Sequence, residues 1–207
     1  MRGIVWFRRD LRLADHPALS AACEECDEII PLFVFDDPLL RGQTFGPACV
    51  GFMLGCLQEL ASSLAERGIV LQWRRGEPAA TVVQAAREWK ADVVYWNRDY
   101  EPDTLERDRL VSQQLSESGV TVKTFKDHVV FEADEIRSAT GAPLQRYSAY
   151  RTRWWAAWHA VKPAALQVPS CLGSPRGSCC PTASLPSARD LGYDPLAPWI
   201  EPGEAAA

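Results

Sequence analysis

Short runs of β-branched and aromatic residues alternate along this chain with longer stretches whose apolar residues recur every three or four positions. The first pattern is that of buried strands and the second that of amphipathic helices. The strand-like runs are Gly3 to Phe7, Glu28 to Phe35, Ile69 to Arg74, Asp92 to Trp96 and Val120 to Phe125. A helix is predicted over Pro17 to Cys26, with Asp15 as its cap and Pro17 in the first turn. A longer one is predicted over Pro47 to Arg67, where Val50, Phe52, Met53, Leu54, Leu57, Leu60 and Leu64 keep the helical spacing, and Gly68 stops it. Glu77 to Trp89 and Thr104 to Ser118 read the same way, the second closed by Gly119. Strand and helix in strict alternation predict an α/β fold: a five-stranded parallel sheet, doubly wound and Rossmann-like, with helices on both faces.

From Lys162 the periodicity stops. Eight of the fifteen prolines lie from Pro163 onward, which marks a Pro-rich carboxyl-terminal linker. Just before it, Tyr147 to His159 carries Trp154, Trp155 and Trp158, either as a helix seated on the sheet edge or as a face for another domain. Residues 1–160 are thus expected to form the folded domain and residues 161–207 the linker.

Composition narrows the function. A chain of 207 residues with 47% hydrophobic and 24% charged positions has room for one α/β domain and a tail. A formal net charge of -5 removes the general attraction to phosphate on which non-specific nucleic-acid binding rests, so any DNA contact of a larger protein is expected to run through another domain. No run of about 18 apolar residues and no signal-peptide pattern stands out, so a soluble intracellular chain with no membrane partner is expected, cytoplasmic, or organellar or nuclear in a eukaryote. The seven cysteines do not sit at zinc-site spacings. Cys23 and Cys26 read as two reduced helix cysteines, and Cys179 with Cys180 falls in the polar tail.

In an open parallel sheet, ligands bind beyond the carboxyl ends of the strands. Arg8, Arg9 and Asp10 follow the first strand, Asp36 and Asp37 the second, and Asn97, Arg98, Asp99 and Glu101 the fourth. These residues serve a ligand or, equally, salt bridges that fix loops, with Asp99, Glu101 and Arg107 as helix-end and ion-pair residues. Asp36 beside Asp37 needs partners, because adjacent like charges repel. The chain contains no G-x-G-x-x-G, P-loop, G-x-S-x-G or H-E-x-x-H motif, and His16, His128 and His159 are scattered. It reads as a binding module more than as a complete enzyme.

The opening Trp6-Phe7-Arg8-Arg9-Asp10-Leu11-Arg12-Leu13, continuing through Asp15, Pro17, Ala18 and Leu19, closely resembles the start of photolyases and cryptochromes. Tyr95-Trp96-Asn97-Arg98-Asp99-Tyr100-Glu101-Pro102, Phe52-Met53-Leu54-Gly55-Cys56-Leu57-Gln58-Glu59-Leu60 and Tyr147-Ser148-Ala149-Tyr150 extend the resemblance to about residue 160, and it resumes at Glu201-Pro202-Gly203-Glu204-Ala205-Ala206. It implies an amino-terminal antenna domain of a deoxyribodipyrimidine photolyase. A helical domain of the same protein would hold FAD and the DNA lesion, and the pigment here would pass excitation to reduced FAD, which splits a pyrimidine dimer by electron transfer. This chain by itself is then expected to be inactive.

The pigment contacts that the resemblance implies fall on Val34, Phe35 and Asp36, on Cys49, and on Asp99, Glu101 and Arg107. A flavin or deazaflavin antenna is implied, without the arginine that the family places at position 49. A folate antenna fits worse, since Asp103 and Thr104 stand where it needs an amide and a carboxylate. Tyr150-Arg151-Thr152-Arg153 departs from the family pattern on the side that meets the helical domain. A cryptochrome-like blue-light receptor domain and a stand-alone module without pigment are the alternative readings.

Overall fold

The computed structural model describes residues 1–42, 45–170 and 184–206. Its elements are β1 (Arg2–Phe7), α1 (Pro17–Glu25), β2 (Glu28–Asp36), α2 (Asp37–Arg41), α3 (Pro47–Ala65), β3 (Gln72–Gly76), α4 (Pro78–Glu88), β4 (Val93–Asn97), α5 (Pro102–Glu117), β5 (Thr121–Phe125) and α6 (Tyr147–Val161). The five strands form one sheet in the order β3-β2-β1-β4-β5, and every pairing is parallel. The chain winds outward from β1 to β3, then returns to β1 and winds the other way, so the switch point lies between β1 and β4.

Period-two alternation divides the strand side chains between two cores. Val5, Phe7, Phe33, Phe35 and Tyr95 pack toward α1 and α3, against Leu19, Leu57, Leu60 and Leu64. Ile4, Trp6, Leu32, Val34, Val94 and Trp96 pack toward α4 and α5, against Val82, Val83, Val111 and Leu115. With both faces covered, the strands read as continuous apolar runs. Trp6 and Trp96 meet edge to face at 5.6 Å across the β1–β4 join.

Three local expectations change. The cap of α1 is His16, whose Nδ1 accepts the Leu19 N–H at 3.0 Å. Asp15 instead turns outward in the left-handed region (φ 49°) and accepts the Leu166 N–H at 2.9 Å. The third strand begins at Gln72, because the Ile69 N–H is used to close α3 against the Leu64 carbonyl and Ile69 and Leu71 pack into the core before the ladder starts. Cys23 is disulfide-bonded, whereas Cys26 keeps a thiol 3.4 Å from the Tyr95 hydroxyl, so the expected pair of reduced thiols holds for Cys26 alone.

Helix α3 is long and apolar enough to cross a membrane by length and composition, contrary to the sequence expectation. In the structure it lies along the sheet with Val50, Leu57, Leu60 and Leu64 buried. The described parts of the Pro-rich segment pack back on the domain: Leu191 is buried in the α1–α3 core, and Val168, Leu185, Ala188 and Tyr193 pack against it. Residues 171–183 of that segment, with Cys179 and Cys180, lie outside the described residues. Helix α6 buries none of its residues; Trp154 stacks on Trp158 at 5.5 Å and touches Phe131 edge to face.

Candidate functional site

At the switch point, β1 and β4 end side by side and three polar side chains close the gap from inside. Asn97, the last residue of β4, donates from Nδ2 to Asp10 Oδ2 at 2.7 Å and accepts the Ala18 N–H on Oδ1 at 3.0 Å. His16 accepts on Nδ1, so its proton sits on Nε2, which faces Asp10 Oδ2 at 3.0 Å. The other Asp10 oxygen accepts the Arg8 N–H at 2.8 Å. Burial works to raise the Asp10 pKa, but the hydrogen bonds from His16 and the Arg8 backbone, with the nearby charge of Arg8, hold it well below the usual carboxylate range. A buried carboxylate satisfied in this way fixes the loops after β1 and β4 relative to one another.

The rim arginines act largely as loop-fixing ion pairs. Arg8 grips both oxygens of Asp108 at 2.6 and 2.7 Å and donates to the Asn97 carbonyl. Arg9 pairs with Glu101, and Arg12 with Asp127 at 2.5 Å. Arg107 contacts Asp108 at 2.9 Å and Asp99 at 3.6 Å, and its guanidinium lies 5.1 Å from the centre of the Trp6 ring. The adjacent acids after β2 also find partners: Asp36 caps α2 through the Leu39 N–H at 3.0 Å, and Asp37 pairs with Arg75 at 2.7 Å.

Above this rim opens a cavity of about 1110 Å³, bounded by the loop after β1, the ends of β2 and α2, the amino-terminal half of α3, the first turns of α5 and the carboxyl-terminal residues 198–204. Ligand pockets commonly occupy roughly 300–1,000 Å³, so a ring system of cofactor size is accommodated. Leu39, Phe45, Phe52, Met53 and Leu110 supply apolar walls; Asp36, Asp99 and Asp103 supply acceptors.

Of the residues singled out in the sequence, Val34, Asp36, Cys49, Asp99 and Arg107 line this cavity. Phe35 does not: it is fully enclosed in the α1–α3 core, where it packs edge to face on Phe33 and Trp73. Glu101 does not either, since Arg9 draws it to the outer side of the loop and its hydrogen bond holds the Glu101 pKa down, to about 2. Burial pushes Asp36 up, and the neighbouring Glu77 and Asp37 add to this, while the Leu39 N–H and Arg107 oppose it. Asp99 is 3% exposed, and its Oδ1 has no hydrogen-bond partner among the described residues; Arg9 lies 3.9 Å and His128 3.5 Å away. A buried acceptor in this state is short of one donor.

Sequence reasoning passed over Leu39, Phe45, Glu77 and the tail residues Pro198, Trp199, Ile200 and Gly203, all of which line the cavity. One signal was available: α3 carries more apolar residues than one core face needs, and Phe52 is left exposed.

A family model described as DNA photolyase matches residues 3–170. The deoxyribodipyrimidine photo-lyase of Synechococcus sp. (strain ATCC 27144 / PCC 6301 / SAUG 1402/1) is 34% identical over 216 residues, covering 99% of this chain and 43% of that protein. A bacterial class III photolyase from Agrobacterium tumefaciens superposes with a TM-score of 0.72 at 27% identity, over 97% of this chain and 39% of that one. The archaeal photolyase from Sulfolobus tokodaii, solved with two FAD molecules and described as implying a novel light-harvesting cofactor, gives a TM-score of 0.66 at 26% identity, over 81% of this chain and 37% of that one. The chain therefore spans less than half the length of these photolyases.

Proposed function

Because the chain belongs to the DNA photolyase family, of which it forms the amino-terminal α/β domain, we propose that it is the light-harvesting domain of an enzyme that repairs pyrimidine dimers with light. In this reading the cavity at the carboxyl edge of the sheet seats a flavin or deazaflavin ring system. The observation that carries it is the cavity itself, opening at the carboxyl edge of the sheet, walled by Phe45, Phe52, Met53 and Leu110 and carrying Asp36, Asp99 and Asp103 among its lining residues. A planar heteroaromatic ring with N–H or hydroxyl donors at its edge suits both features, apolar faces and lining carboxylates.

When bound, such a pigment absorbs light and passes the excitation to FAD in a partner helical domain. The residues of this chain bind and orient it. Leu39, Phe52 and Leu110 exclude water from the ring, Asp36 and Asp99 accept its edge donors, and Arg107, stacked on Trp6 and paired with Asp108, holds Asp99 in place. Cys49 at the first turn of α3 offers no positive charge to an anionic group. A folate fits this wall less well, because Asp103 and Thr104 stand where its recognition needs other groups. The exposed aromatic side chains of α6, Tyr147 and Trp155 among them, are the surface offered to the helical domain, and DNA is contacted through that domain.

The test is an absorbance and fluorescence titration of the purified protein with riboflavin, FMN, FAD, a deazaflavin and a methenyl folate. Saturable binding of a flavin or deazaflavin, with the folate weaker, is expected. Absence of binding by riboflavin, FMN, FAD and the deazaflavin refutes the pigment reading.

A further inference from the structure

We propose that residues 196–206 are a built part of the ligand site, a strap that holds Trp199 over the cavity as the stacking cover of a planar aromatic ligand; this rests on reading the cavity as a pigment site. The strap is anchored at its carboxyl-terminal end, where Glu204 accepts the N–H groups of Leu13 and Ala14, at 2.7 and 2.9 Å, in the same loop that carries Arg8 and Asp10. The Ala205 N–H donates to Glu59 Oε1 at 3.1 Å.

Along α3, close approach is allowed by glycines one turn apart. A Cβ on Gly51 would strike the Leu196 carbonyl oxygen, one on Gly55 would strike the Pro202 ring, and one on Gly203 would fall into the Glu59 carboxylate. Between these seats run Pro198, Trp199 and Ile200, which line the cavity. Pro195, Pro198 and Pro202 limit the freedom of the segment, so holding it in place costs less chain entropy.

The strap therefore fixes the backbone around Trp199 while the indole itself stays 88% exposed at the cavity. An indole left that open forfeits the burial that normally justifies a tryptophan, and a flat ring in the cavity restores it. The tail thus works as binding surface and not merely as a connection onward.

The experiment uses the full chain with riboflavin as probe, comparing Trp199→Ala, Trp199→Phe and Glu204→Ala with the parent by fluorescence titration. Hydrogen exchange of residues 196–206 is followed with and without riboflavin. Loss of one aromatic stacking partner is expected to weaken binding about fivefold to a hundredfold in Trp199→Ala, with Trp199→Phe recovering most of it. Glu204→Ala should weaken binding and speed exchange across the strap, and riboflavin should slow that exchange in the parent. If the parent binds riboflavin but Trp199→Ala and Glu204→Ala bind it equally well and strap exchange is unmoved, the strap proposal is overturned while the pigment reading stands. If the parent binds none of riboflavin, FMN, FAD or a deazaflavin, both are overturned together.

Discussion

Asp10 is the group whose replacement tests the architecture of the site most directly. It is buried at the β1–β4 switch point and accepts from the Arg8 N–H, Asn97 Nδ2 and His16 Nε2. Asp10→Ala strands all three donors in the interior, and breaking a buried, hydrogen-bonded charge site costs about 3–5 kcal/mol. At roughly 2–4 °C per kcal/mol for a domain of this size, the melting temperature should fall by about 6–20 °C. Asp10→Asn keeps the shape and one acceptor but turns an amide donor toward other donors, so it should fall between parent and Asp10→Ala. The charge also predicts the sign of the acid dependence. The Asp10 pKa is lowered in the folded state from an ordinary 3.8, so the unfolded chain takes up the proton first as pH falls. This contribution is complete above about pH 5 and is lost as pH drops through 3.8 and below. Urea unfolding at pH 7, 5, 4 and 3 should therefore show the parent losing stability on acidification more steeply than Asp10→Asn. Equal stability of the three proteins at pH 7, or parallel acid profiles for parent and Asp10→Asn, would refute the assignment of Asp10 as an ionised buried hub.

The remaining expectations concern the cavity and its walls. Cys49→Arg places a cation at the first turn of α3 beside the cavity and should raise affinity for FMN by about tenfold to a hundredfold, the worth of a charge-assisted hydrogen bond, while leaving riboflavin nearly unchanged; paired titrations with the two flavins check this. Asp99→Ala removes the buried acceptor and should weaken riboflavin about tenfold in the same titration, with the fold retained because Arg107 keeps Asp108. Leu64→Ala, at the carboxyl-terminal end of α3 where the side chain is fully buried in the core, should cost about 2–5 kcal/mol in urea unfolding without altering the flavin preference, since Leu64 does not line the cavity.

Much of the fold was legible along the chain because its cause is local. Strand and helix periodicities, Pro17, Pro47, Pro78 and Pro102 in the opening turns of helices, and Gly68 and Gly119 after their ends are decided within a few residues, and the five parallel strands follow from their alternation. Period two also implies that Val34 and Phe35 point to opposite faces, but the cavity takes Phe33 and Val34 from both faces, so which β2 residues reach it was decided by tertiary packing. The cap of α1 was misassigned because Asp15 and His16 are both able to accept a hydrogen bond, and the choice rests on Asp10 and Leu166, which are not neighbours along that helix.

The site itself needed the tertiary structure. Arg8 could have paired with any nearby acid; its partner is Asp108, 100 residues away, because the β1–β4 join brings α5 over Trp6. Sequence placed Asp36, Asp99 and Arg107 at one rim, but not the orphaned oxygen of Asp99, which depends on the ångström spacing to Arg9 and His128. Nor could it show that residues between Pro198 and Glu204 line the cavity, since that arrangement has no local period and depends on Gly51, Gly55 and the N–H groups of Leu13 and Ala14, groups remote in sequence. Local patterns determine which elements form; long-range hydrogen bonding and steric fit, invisible to any short window, determine which side chains meet.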